Sequence, residues 1–133
     1  MATPVELAVD TYVKVWGERD PVHRAAMIEA CFAPDGRIVT RGRDIVGHAG
    51  FAEMIALVQA DPQFLRVRLT SAIDAVRTTF RFRAVVDRRD GTTSVESNDA
   101  GEIDATGRIS VLLTFTGPLG EAVTAFDRIL GSS

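Results

Sequence analysis

Residues 93–104, TSVESNDAGEID, place a carboxylate where strand periodicity asks for an apolar side chain. Read as a β-strand, the segment turns Val95, Ser97, Asp99, Gly101 and Ile103 to one face. Ser94, Glu96, Asn98, Ala100 and Glu102 take the other. Glu96 and Glu102 suit a wet face, but Asp99 shares its side with Val95 and Ile103. An ionised, unpaired carboxylate inside a protein costs on the order of several kcal/mol. Asp99 must therefore be paired with an arginine, hydrogen-bonded, turned to water at a bulge, or held protonated. A protonated aspartate in an apolar pocket can donate a hydrogen bond to a substrate oxygen and act as an acid.

Tyr12 is the second candidate. It is the only tyrosine, and it sits in the middle of an apolar helical stripe with Trp16 one turn further on. A phenol there either packs with its hydroxyl satisfied or donates to a ligand. The other reactive types form no constellation. His23 and His48 make no His-x-x-x-His pair and have no carboxylate cluster beside them, so no metal site is expected. Cys31 lies on an apolar helical face and reads as a buried, inert thiol. Arg24, Arg81 and Arg83 either line a pocket mouth, pair with Asp99, or belong to a solvated face. No glycine-rich phosphate loop, nucleophile elbow or Cys-x-x-Cys occurs.

The elements that must position these residues follow from periodicity. In TPVE, Thr3 caps a helix, Pro4 takes its first position and Glu6 completes a capping box. Val5, Ala8, Val9, Tyr12, Val13 and Trp16 form its apolar face, and Gly17 ends it. Asp20 and Pro21 start a second helix with Val22, Ala26, Met27, Ala30, Cys31 and Phe32 on its apolar side, stopped by APDG at 33–36. RIVT at 37–40 reads as a short strand and GRDIVGHAG as a loop. A third helix spans about 48–60, with Phe51, Met54, Ile55 and Val58 inward and Asp61-Pro62 at its end. The period then changes to two. Strands are expected over 64–76, 78–88, 93–104 and 108–117, with RDGT at 89–92 as a hairpin turn. Ala122, Val123 and Phe126 suggest a short C-terminal helix. Three helices followed by long antiparallel strands predict an α+β fold in one domain over residues 1–133. Strands of that length twist and coil, so the sheet is expected to curve around the helices into a cone. Its open end can hold one small ligand.

Bulk properties narrow the function classes. The chain has 133 residues, 46% hydrophobic and 25% charged, with a net charge of -3. That mix suits a globular core and argues against nucleic acid or acidic membranes as partners. One cysteine excludes an internal disulfide. The start MATPVELAVD lacks a basic, apolar leader, and no run approaches the roughly 20 apolar residues of a membrane span. A cytoplasmic protein is expected.

Four pieces of the chain carry a resemblance: YVKVWGERDP, CFAPDGRI, IVGHAGFAEMI and NDAGEIDATGRISVLLTF, in that order and spacing. Over roughly residues 5–118 the sequence resembles the nuclear transport factor 2-like superfamily, in particular its SnoaL-like branch of polyketide cyclases and ketosteroid isomerase-like proteins. The resemblance implies the same α+β cone, a small apolar molecule as ligand, no cofactor, and a homodimer. Counting back eight residues from Gly107 of the GRI turn, the isomerase pattern puts its oxyanion-binding aspartate at Asp99. Its helix-one tyrosine matches Tyr12 of TYV. These two become the candidate catalytic residues, sharing one substrate oxygen. Trp16, Met54, Phe80, Phe82 and Ser97 become candidate ligand contacts. The isomerase base would fall near Thr40, and threonine is no base at neutral pH. The expectation is thus a cyclase, isomerase or hydratase acting on an apolar carbonyl compound, with Asp99 as acid/base and Tyr12 as donor. A non-catalytic binding or dimerisation module is the alternative, and a scaffold for a protein partner a third. A dimer interface is expected on the outer sheet face around Thr70, Thr79, Val85 and Leu112.

Overall fold

A computed structural model of the chain describes residues 1–94 and 96–120. Val95 and the helix expected around Ala122, Val123 and Phe126 lie outside the described residues. Helix α1 runs Pro4–Val15 and opens as the sequence requires. The Thr3 hydroxyl accepts from the Glu6 amide and donates to the Glu6 carboxylate, each at 3.2 Å. Its buried face is Val5, Ala8, Val9, Tyr12, Val13 and Val15. Helix α2 is Pro21–Cys31, capped by Asp20, whose carboxylate accepts from the Val22 amide at 3.1 Å. Its buried side is narrower than expected: Ile28 and Cys31 are covered, whereas Val22, Ala26 and Ala30 face solvent.

The chain passes directly from α2 into β1 (Phe32–Val39), then β2 (Asp44–Val46) and α3 (Gly47–Gln59). The segment read as a loop before the third helix thus contains a short strand. The remaining strands are β3 (Phe64–Leu69), β4 (Asp74–Val76), β5 (Thr79–Arg88), β6 (Ser97–Ile103) and β7 (Ile109–Thr116). They form one seven-stranded sheet in the order β2-β1-β7-β6-β5-β3, with β4 also paired to β5. Only β1 and β7 run parallel. The sheet curls into a half-barrel around the helices, giving the α+β cone. Phe32, Phe51, Ile55, Ile109 and Leu112 fill the space between the layers and are fully buried.

Two irregularities decide which side chains point inward. The single strand expected over 64–76 is broken into β3 and β4. At the break the Arg83 amide donates to the Ser71 hydroxyl at 2.8 Å instead of to a backbone carbonyl, so a side chain takes over a ladder position and interrupts the strand. The second lies between β6 and β7. Glu102 pairs with Val111 but Ile103 pairs with Ile109, so Ser110 is bulged out. A one-residue slip reverses every side chain beyond it. Leu112 is consequently in the core rather than on the outer face, and Leu113 and Phe115 take the exposed side.

Glycine is required at position 101. A Cβ there would stand 2.3 Å from the Val111 carbonyl oxygen and 2.7 Å from the Phe80 ring. Phe80 lies against this bare stretch of β6 and seals the narrow end of the cone. The inward series on β5 then continues through Phe82 and Ala84 towards the wide end.

Candidate functional site

Strand register builds the site from three neighbouring strands. Asp99 on β6 lies opposite Phe82 on β5 and Thr114 on β7. All three line a cavity of about 190 Å3 at the wide end of the cone. Helix α1 supplies Tyr12 and Trp16 to its wall, and α3 supplies Met54 and Val58. Ser97, Ala84 and Val67 continue the sheet side, and Ile38, Thr40 and Ile45 come from β1, its end and β2. For scale, an engineered apolar cavity of ~150 Å3 holds benzene. The space therefore suits a ligand of about one ring.

Asp99 is 5% exposed. Among the described residues no arginine is paired with it. Its carboxylate accepts from the Ser97 hydroxyl at 2.8 Å and interacts with the Thr114 hydroxyl. Burial pushes its pKa up, and these two hydroxyls offset only part of that rise. The Tyr12 phenol is also raised, first by burial and then by the Asp99 charge, with the Trp16 and Thr114 side chains opposing. Tyr12 therefore stays a protonated donor across the physiological range. Thr114 interacts with both groups, and the phenol and the carboxyl line the same cavity. The Tyr12 ring is fixed by Trp16 (ring centres 6.0 Å apart), Phe51 (5.6 Å) and Phe82 (6.5 Å).

Of the ligand contacts expected from sequence, Trp16, Met54, Phe82 and Ser97 line the cavity with Tyr12 and Asp99. Phe80 does not: it stacks behind Phe82, at 6.0 Å between ring centres, and closes the narrow end. Thr114 is absent from the residues expected at the site because the β6–β7 bulge sets its facing. The alternation Leu112-Thr114-Thr116 was the available signal. Thr40 does reach the cavity, at the place of the missing base, but its hydroxyl is occupied. It accepts from the Arg43 amide at 3.0 Å and donates to the Arg43 carbonyl at 3.2 Å.

The arginines weighed as partners of Asp99 are engaged elsewhere. Arg81 pairs with Asp74 at 2.7 Å, Arg83 with Glu96 at 3.7 Å, and Arg24 donates to the Gln59 side chain at 2.8 Å. His48 Nε2 hydrogen-bonds the Phe32 carbonyl at 2.6 Å, and His23 lies on the surface near Glu18. Burial pushes the Cys31 thiol up to about 12, so it is no nucleophile at neutral pH. Among the described residues no three His, Cys, Asp or Glu side chains come together as a metal site. No helix among them is long and apolar enough to cross a membrane. A larger groove of about 730 Å3 runs along the outer sheet face beside residues 117–119. Phe82 and Asp99 border it as well, and Arg41, Arg81 and Arg83 along it are bonded to Thr116, Asp74 and Glu96. Tyr12, Ser97 and Thr114 line the inner cavity and not this groove.

No family sequence model matches the chain, and no curated protein sequence does either. Solved structures do. A SnoaL-like family protein from Agrobacterium tumefaciens, provisionally named an isomerase, superposes with a TM-score of 0.78 at 25% identity, covering 88% of this chain and all (100%) of that one. The chain belongs to the nuclear transport factor 2-like superfamily and is similar to its SnoaL-like members. A Sinorhizobium meliloti protein provisionally named a polyketide cyclase aligns with this SnoaL-like chain at 17% identity and TM-score 0.64, over 81% of this chain and 93% of its own. A Catenulispora acidiphila protein of ketosteroid isomerase-like fold, solved with trimethylamine, matches at 16% identity and TM-score 0.62, over 81% and 83%. At those identities the last two speak to fold alone.

Proposed function

We propose that this SnoaL-like protein binds a small apolar carbonyl compound in the inner cavity and moves a proton on it. One observation carries the reading: a buried aspartate without a cationic partner shares a ligand-sized apolar void with a buried phenol. In its ionised form the Asp99 carboxylate accepts a proton from the carbon next to the carbonyl. The Tyr12 hydroxyl donates to the oxygen as it gains negative charge. The Asp99 carboxylic acid then returns the proton to carbon or to oxygen. Because Asp99 is the only carboxylate that the described residues bring to the cavity walls, one group serves as both acid and base. That fits cyclisation, isomerisation or hydration in which proton removal and delivery occur in succession.

Cyclohexanone in deuterated water tests this, with loss of the α-proton NMR signals as the readout. The protein should accelerate exchange over buffer, Asp99→Asn should abolish the acceleration, and Tyr12→Phe should lower it by ~100-fold or more. Exchange no faster than buffer would leave the second reading, a non-catalytic binding module. The absence of a second carboxylate in the cavity favours that reading. We also propose that two copies pair through the outer sheet face, where Val76, Leu113 and Phe115 are 66%, 37% and 57% exposed.

A further inference from the structure

Arg43 is an exposed residue on the β1–β2 hairpin next to the cavity, and register decides which side of that hairpin it takes. β1 and β2 are antiparallel, with Ile38 opposite Ile45 and Val39 opposite Asp44. Ile38 and Ile45 both face the cavity. The hairpin continues the ladder by one pair, since the Thr40 amide donates to the Arg43 carbonyl at 2.8 Å. Alternation places Thr40 on the side of Ile38 and Arg43 on the side of Ile45. Thr40 does line the cavity, so Arg43, directly across from it, belongs to the same inner side at the mouth.

A second observation agrees. Arg43 borders a depression of about 230 Å3 together with Ile45, Met54 and Glu53. Ile45 and Met54 are also walls of the inner cavity. The two spaces thus adjoin across shared apolar side chains, with the guanidinium on the outer one.

Arg43 also belongs to the arginines outside the ion pairs, and among those it is the one that borders this depression. Arg37 is held by Asp44, Arg66 and Arg68 by Asp87, Arg81 by Asp74, Arg83 by Glu96 and Arg88 by Asp61. Asp44, the acid next to Arg43 in sequence, is already in a two-point bond with Arg37 at 2.8 and 3.2 Å. Among the described residues Arg43 has no carboxylate partner, although Glu53 borders the same depression. A planar cation beside an apolar, ring-sized hole matches a ligand with a carboxylate at one end and an apolar body at the other. A charge left at the rim keeps much of its hydration, so it costs little to bind there. Inside, next to Asp99, it would cost far more.

We propose that the ligand is a carbonyl compound of about one ring that carries a carboxylate at the end remote from the carbonyl, and that Arg43 receives the carboxylate. This rests on the cavity being the ligand site with the carbonyl at Asp99 and Tyr12.

Two nearly isosteric probes separate the claims: 4-oxocyclohexanecarboxylate and 4-oxocyclohexanecarboxamide. Each is titrated against the fluorescence of Trp16, the only tryptophan and a cavity wall. The carboxylate should bind about fivefold more tightly than the amide at low salt, as for a partly exposed ion pair. The preference should vanish in Arg43→Ala, persist in part in Arg43→Lys, and shrink with added salt. Equal affinities in the unaltered protein, or a preference that survives Arg43→Ala, overturn the role of Arg43 while leaving the cavity reading intact. Failure of both probes to bind saturably overturns the cavity reading and this proposal with it.

Discussion

Asp99→Asn removes an ionisation and almost no volume, so it isolates what the buried charge does to the fold. A carboxylate has about four acceptor positions. In the structure it meets the Ser97 hydroxyl at 2.8 Å and the Thr114 hydroxyl, in a cavity it shares with the Tyr12 phenol and mostly apolar walls. Loss of water around the ionised form, only partly replaced by these hydroxyls, costs on the order of 1–3 kcal/mol. Since burial raises the pKa in the folded state, the native protein binds the proton more tightly than the unfolded chain does. Stability contributed by that proton is fully present below the ordinary carboxylate value near 3.8 and is lost as pH rises through the folded value. Asparagine has no proton to lose. The variant should melt at nearly the wild-type temperature near pH 4 and above it near pH 8. For a chain of this size, roughly 3–6 °C per kcal/mol is expected. Circular dichroism melts of both proteins across that range measure the difference directly, because every other titration is common to both. A variant that melts below wild type near pH 8, or by a gap that does not change with pH, would show that the ionised carboxylate is well accommodated. The reasoning for a poised acid would then be wrong.

Asp87 should behave in the opposite sense. Arg68 and Arg66 hold its pKa down to about 2, so its contribution is present above the ordinary value near 3.8 and is lost as pH falls through about 2. Asp87→Asn should melt lower than wild type at neutral pH, with the gap closing towards pH ~2 in acid denaturation. For the outer face, sedimentation at micromolar concentration should give a dimer, and Phe115→Glu should give a monomer. A wild-type monomer would refute the pairing.

What the sequence disclosed and what it withheld divide along physical lines. Period-two reading placed Asp99 inward because β6 is regular from Ser97 to Ile103, and it placed Phe80, Phe82 and Ala84 inward on β5 for the same reason. Capping chemistry located the starts of α1 and α2 because Thr3 and Asp20 act within a few residues of themselves. Periodicity gives a face but not a depth. Phe80 and Phe82 look alike in sequence, yet one packs over Gly101 and the other borders the inner cavity. Leu112 was assigned to the wrong side because the bulge at Ser110 is a property of the β6–β7 pair and not of either strand alone. The side of the sheet that Arg43 takes depends likewise on a hairpin whose second strand is three residues long, too short to give a periodic signal.

The strand order has one more consequence, for behaviour at high concentration. An open sheet has two unpaired margins, and each could recruit a strand from another molecule. On one side that margin is β2, only three residues long. On the other it is β3 and the three-residue β4, and β3 carries Arg66 and Arg68 drawn over Asp87. Charge on one border and brevity on the other make both poor templates for runaway strand addition, so the protein can bear an exposed Phe115 and still be expected to stop at a defined assembly.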